Sequence, residues 1–252
     1  MILFASPLEQ FEVVSIIALN SQLFSFNWAF TNVSLYALLT LGLIVALHYF
    51  SYNELRLVPS RWSVGLESAN ATVHNLVKDQ IGTANELYFP FIYGIFFFVL
   101  FSSLIGNVAY SFAIGTSAVV SLGLSVTIFI GVTVLAINKH EWTFFSFFVP
   151  GGTPLVMVPM LALVELISYL ARALSLGVRL FSNLVAGHTL LKILSGFIYP
   201  ILVSGPLMFL VGLLPMTLFT ALIGLEIAVS FIQAYVFCIL TSSYLKDAID
   251  LH

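Results

Sequence analysis

Arg179 lies in the apolar run from Pro154 to Tyr199, with no acidic residue closer in sequence than Glu165. A guanidinium keeps its charge at any ordinary pH, and at the centre of a bilayer it costs at least ~2.5 kcal/mol on insertion scales. A charge held at that cost signals function, and the spacing implies a counter-charge on another chain. The polar residues around it are ordered. Glu165, Ser168, Arg172, Ser175, Arg179 and Ser182/Asn183 recur at steps of three and four, which draws one polar stripe down one helix face. His188, Lys192, Ser195 and Tyr199 draw a second stripe. At 100° per residue His188 stands about 180° from Arg179, so the polar face changes sides near Ala186-Gly187. Two displaced polar faces could line two separate aqueous pockets. Glu226, Ser230 and Gln233 form a third stripe further along the chain.

The chemistry these types suggest is proton transfer. A membrane proton path needs titratable groups, water and a barrier against direct leakage. His188 and Glu226 supply the first, imidazole being the side chain whose ordinary titration brackets neutrality. Arg179 supplies the barrier, because a permanent positive charge repels a hopping proton. Glu165 offers an acceptor toward the inner side. Plainer readings of the same residues stand beside this one: Glu165 and Arg172 as a structural pair, His188 and Glu226 as hydrogen-bonded core neighbours, Gln233 as helix–helix glue, Lys192 as a snorkelling cation. No HExxH, GxSxG or P-loop pattern occurs, so covalent chemistry has no centre here, and neither a cofactor nor a metal is expected. The single cysteine, Cys238, excludes an intrachain disulfide or a thiolate cluster.

These groups must be held by helices in lipid. The chain of 252 residues is 60% hydrophobic and 8% charged, against the ~25% charged of a soluble domain. It reads as an all-α integral membrane protein, and a net charge of −3 gives no basis for a nucleic-acid partner. No basic stretch with a small-residue cleavage site opens it, so a secretory signal is not expected. Spans are predicted at Leu35–Phe50, Phe89–Ile105, Phe112–Ile137, Pro154–Tyr199 and Pro206–Leu245, each compared with the ~20 residues a bilayer core requires. Phe11–Phe30 is apolar but carries Glu12, Asn20, Gln22 and Asn27, and reads as an interfacial helix, with a sixth span as the alternative. Residues 60–88 read as an amphipathic helix on the inner surface: Trp62, Leu66, Ala69, Val73, Leu76, Val77, Ile81 and Ala84 recur at mostly three or four. Arg56, Arg61, Lys78, Lys139 and Lys246 all fall on one side of a five-span reading, which puts the N-terminus outside and the C-terminus inside. Trp28, Trp62 and Trp142 mark span edges, and the whole chain, 1–252, reads as one membrane domain.

The last two spans are too long to stand upright. At 1.5 Å per residue the fourth would reach roughly 67 Å, so it either breaks into two short spans or tilts strongly. A tilted helical hairpin pivoting at Ser204-Gly205-Pro206 satisfies both. Residues equidistant from that pivot lie level, which matches Arg179 with Gln233 and His188 with Glu226. One conflict remains: Arg179 and His188 face opposite ways, whereas Gln233 and Glu226 share a face. A kink at Gly187 or a bridging water is the expected resolution.

The runs SLGVRLFSNLVAGH (175–188) and GLEIAVSFIQAYVFCILTSSYL (224–245) resemble subunit a of F-type ATP synthases, a likeness that covers essentially the whole chain. That resemblance implies a stator subunit whose two long tilted helices, offering two offset half-channels, pack against a rotating ring of c subunits. Peripheral-stalk and other membrane-sector subunits, the lipid bilayer and protons are its further implied partners. Arg179 matches the essential arginine that meets each ring carboxylate. His188 and Glu226 would line the outer half-channel, Gln233 and Asn183 would flank the arginine, and Glu165 would lie toward the inner exit, with Arg172 and Ser175 supporting. Many bacterial members carry Gly at the Ser182 position, an acid at His188 and a His at Glu226; the exchanged arrangement here is similar to the mitochondrial version. SPLEQFEV (6–13) resembles the start of fungal mitochondrial members, whose short leaders are removed. The implied location is the mitochondrial inner membrane, with the N-terminus in the intermembrane space and the C-terminus in the matrix.

Overall fold

The computed structural model describes residues 6, 8–20, 27–51, 60–108, 111–141, 144 and 157–249, with the backbone alone at 19–20, 27–28, 83–85 and 206–207. Arg56, Trp142, the start of the fourth predicted span at 154–156 and the side chains of Trp28 and Ala84 therefore lie outside the described residues. The elements run β1 (Ser15–Asn20), β2 (Asn27–Thr31), α1 (Asn32–Ser51), α2 (Arg61–Ile81), α3 (Phe89–Gly106), α4 (Ala118–His140), α5 (Val158–Val203) and α6 (Pro206–Ile249). Among the described residues five helices, all but α2, are long and apolar enough to cross a membrane, as the apolar runs predict. They belong to two compact units. One comprises Met1–Tyr52, Phe97–Ser117 and Phe181–Ala234; the other comprises Asn53–Phe96, Ala118–Leu180 and Tyr235–His252.

In the first unit the N-terminal segment departs from expectation. The described residues of Phe11–Phe30 form neither an interfacial helix nor a sixth span, because β1 and β2 pair antiparallel with Ile17 opposite Phe30 and Asn20 opposite Asn27. Val13, Val14, Ile16 and Ile17 followed by Thr31 and aromatics are strand formers, and backbone pairing satisfies amides that half-polar side chains would leave competing for a helix. The hairpin feeds straight into α1, whose first turn is tied by Ser34 Oγ donating to the Thr31 carbonyl at 2.7 Å. The predicted third span also begins late: Ile114–Thr116 forms a buried 3-10 turn, so α4 opens at Ala118 rather than Phe112. The pivot between α5 and α6 is where the sequence puts it. Gly205 has φ 146°, a conformation open to glycine, and Pro206 opens α6, a first-turn position where its missing N–H costs nothing.

In the second unit α2 starts at an Ser60 cap, whose hydroxyl accepts from the Ser63 amide, and ends at Gly82 with φ 86°. Val73, Leu76, Val77 and Ile81 are buried while Glu67, Lys78 and Asp79 are exposed, so the amphipathic pattern is real; Trp62, at the start of that face, is exposed. α4 meets α5 closely at Gly177. A Cβ there would stand 2.5 Å from Ser125 Oγ and 3.0 Å from Leu122 Cα and the Ser121 carbonyl, and Ser121 and Ser125 are fully buried. Small residues on both sides allow that approach, the usual way apolar helices gain packing where lipid provides no hydrophobic drive.

α5 is one helix of 46 residues, roughly 69 Å at 1.5 Å per residue, with Pro200 only in its last turn. That removes the alternative of two short spans. α6 has 44 residues.

Candidate functional site

Within the first unit, His188 on α5 and Glu226 on α6 face each other. His188 Nδ1 lies 3.5 Å from Glu226 Oε1, with side chains only 14% and 10% exposed. That separation permits electrostatic attraction but is longer than an N–H···O hydrogen bond. Accordingly, Glu226 Oε1 and His188 Nε2 are buried with no hydrogen-bond partner within the described chain. The meeting needs no break in α5. Gly187 supplies the room, since a Cβ at that position would stand 2.5 Å from Glu226 Oε1. Glycine therefore lets the carboxylate come close to α5 beside the imidazole.

One turn toward the α5 N-terminus, Asn183 Nδ2 donates to Gln233 Oε1 at 3.0 Å. Asn183 and Glu226 line one cavity of about 260 Å³, otherwise walled mainly by Leu190, Leu191, Leu222, Leu225 and Val229. Asn183 of the amide pair and Glu226 of the acid–imidazole pair thus share one space large enough for several waters. At the other side of His188 the N-terminal segment closes in. The Phe11 ring meets the imidazole edge-on, centroids 6.5 Å apart, and Lys192 Nζ donates to the Ser6 carbonyl at 3.3 Å.

Within the second unit, Arg172 Nη1 donates to Asp247 Oδ2 at 3.0 Å and Nη2 lies 3.7 Å from Glu165 Oε1. The Glu165–Arg172 pairing read from the sequence is therefore the looser of two contacts. Tyr244 Oη donates to the Arg172 carbonyl at 3.4 Å, and its phenol is within electrostatic reach of Arg172, Arg179 and Asp247. Arg172, Tyr244, Asp247 and Tyr169 line a cavity of about 20 Å³, enough for one water. Arg179 is half-buried on α5, four residues before Asn183, and Ser175 is exposed.

The structure thus brings together His188 with Glu226, Asn183 with Gln233, and Glu165 with Arg172. Sequence reasoning missed Asp247, Tyr244 and Asn107. The first two were within reach, since the Glu226, Ser230, Gln233 stripe continues at steps of three and four through Phe237, Leu240 and Tyr244 to Asp247. Asn107, just past α3, carries no periodic signal, yet its Nδ2 donates to Ser230 Oγ at 3.1 Å.

The chain matches, over residues 33–246, the family described as ATP synthase A chain. Curated relatives match almost end to end. It is 60% identical over 248 residues to the ATP synthase subunit a of Mycosarcoma maydis, covering 98% of each chain. It is 46% identical to that of Emericella nidulans, with 98% of this chain and 97% of the relative covered. With that of Saccharomyces cerevisiae the identity is 42%, over 98% and 96%.

Proposed function

The chain belongs to the ATP synthase A chain family, and from that membership we propose that it is the proton-translocating stator subunit of an F-type ATP synthase. It works as a mitochondrial multi-pass membrane protein within that complex, in the inner membrane. The one-sided distribution of Lys and Arg supports an N-terminus in the intermembrane space and a C-terminus in the matrix.

Protons from the intermembrane space reach the pocket at His188 and Glu226. The imidazole accepts a proton, the Glu226 carboxylate takes it over, and water in the adjoining cavity carries it past the Asn183–Gln233 pair. It then neutralises a carboxylate on a ring of c subunits, which can now turn into lipid. After a turn of the ring that carboxylate releases its proton to the second half-channel, where Glu165 and Asp247 accept it and Arg172 holds both acids in place. Arg179 pairs transiently with each deprotonated ring carboxylate, so its fixed charge keeps a proton from crossing directly. A proton moving down 100 mV releases about 2.3 kcal/mol, so several must pass for each ATP.

The observation that carries this reading is the buried acid–imidazole pair whose acid, Glu226, lines a cavity together with Asn183. A structural pair would be sealed by its own hydrogen bonds; here Glu226 Oε1 and His188 Nε2 are left without one among the described residues. Glu226→Leu tests it. Passive proton conduction through the membrane sector in vesicles should fall at least tenfold while the complex assembles, and an unchanged conduction rate in an assembled complex would refute the reading.

A further inference from the structure

We propose that Asn107 is a positioning residue of the uptake pocket, its amide holding the Glu226 turn of α6 and its carbonyl oxygen anchoring water beside His188. The inference rests on the reading of His188 and Glu226 as the uptake pair. Asn107 follows the last residue of α3, and its Nδ2 donates to Ser230 Oγ, which itself donates to the Glu226 carbonyl at 3.0 Å. Ser230 is 2% exposed, so this relay is dry and directional. The preceding residue comes as close to the other partner. A Cβ on Gly106 would stand 3.4 Å from His188 Nε2. The end of α3 therefore lies against His188 and against the serine bonded to the Glu226 carbonyl.

Asn107 Oδ1, His188 Nε2 and Glu226 Oε1 are all buried and all without a hydrogen-bond partner in the described chain. An unsatisfied buried polar atom costs about 1–3 kcal/mol, and buried water is the usual partner of such groups. Of the three, only the amide cannot titrate. It anchors water as an acceptor at every pH, while the imidazole and the carboxylate exchange protons with it. Its donor half is committed to Ser230, which fixes the orientation of the acceptor half.

The test uses the assembled complex in vesicles, with passive proton flux read against pH. Asn107→Leu keeps the volume and removes both polar functions; flux should fall about tenfold with the amount of complex unchanged. Asn107→Asp keeps the acceptor and adds a titratable group, so flux should exceed that of the Leu variant and its pH profile should gain an inflection that wild type lacks. Should Leu prevent assembly, Asn107→Ser, too short to reach Ser230, should show the same loss. Wild-type flux and pH profile in the Leu or Ser variant would overturn the inference, and so would an Asp variant as slow as Leu with no new inflection. Glu226→Leu measured alongside separates the two ideas. If it conducts normally the uptake-pair reading itself fails, whereas a slow Glu226→Leu beside a normal Asn107→Leu removes only the role of Asn107.

Discussion

Gly177 and Gly187 lie ten residues apart on α5, and alanine should harm the protein in opposite ways at the two sites. In a helix interior Gly→Ala alone favours folding by about 1 kcal/mol, so any loss must come from what the methyl meets. At Gly177 it meets α4 backbone, with Leu122 Cα and the Ser121 carbonyl at 3.0 Å besides Ser125 Oγ at 2.5 Å. Backbone cannot swing aside, and overpacking of this kind costs about 1–3 kcal/mol, enough to lower abundance several-fold. At Gly187 the methyl meets only the end of a side chain, Glu226 Oε1 at 2.5 Å, Cδ at 3.3 Å and Cγ at 3.4 Å. Ordinary contact begins at 3.4 Å, so the oxygen must move by about 0.9 Å, which disturbs its present 3.5 Å separation from His188 Nδ1. Misplacement near 1 Å at a reacting group costs up to about 100-fold, and tenfold corresponds to ~1.4 kcal/mol. Gly187→Ala should therefore assemble at wild-type levels and conduct protons about tenfold more slowly. Gly177→Ala should assemble poorly, with what assembles conducting nearly normally. Abundance comes from quantifying the purified complex, conduction from pH-jump flux in vesicles. Equal conduction in Gly187→Ala and wild type, or an assembly loss there as large as at Gly177, would refute the reasoning.

Two other changes follow from the same geometry. Phe11→Ala removes the ring edge that packs on His188; passive flux should change by at least twofold with the complex still assembled, and an unaltered rate would mean that the N-terminal segment does not bear on the imidazole. Asp247→Asn removes the closer of the two acids on Arg172, a pair about a third exposed, so stability should change by less than about 1 kcal/mol in thermal unfolding. Proton release should slow measurably all the same, and a large stability loss with normal flux would make the cluster a structural clasp.

How much of this was legible in the sequence depends on which interactions decide each part. The five membrane helices could be read because lipid admits only helices or closed barrels, and runs such as Phe89–Ile105 show no period-two alternation. The N-terminal hairpin could not, since apolar residues around Ile16, Ile17 and Phe30 fit either period and cross-strand pairing decided between them. Level positions about Gly205 were enough to match His188 with Glu226, because a tight turn fixes register. The same count says nothing of the Gln233 side-chain oxygen accepting from Asn183, because helix rotation, which residue counting ignores, sets that choice. Asn107 stayed hidden because its partner Ser230 is 123 residues away and no spacing rule connects a loop amide to a helix hydroxyl.

The central claim is that Arg179 couples proton passage to rotation. Its most direct test is Arg179→Gln in the whole complex reconstituted into vesicles, measuring ATP synthesis under an imposed proton gradient and proton pumping on ATP addition. The account predicts that both vanish while the soluble head, once detached, still hydrolyses ATP. Retention of coupled synthesis by the assembled variant would contradict it.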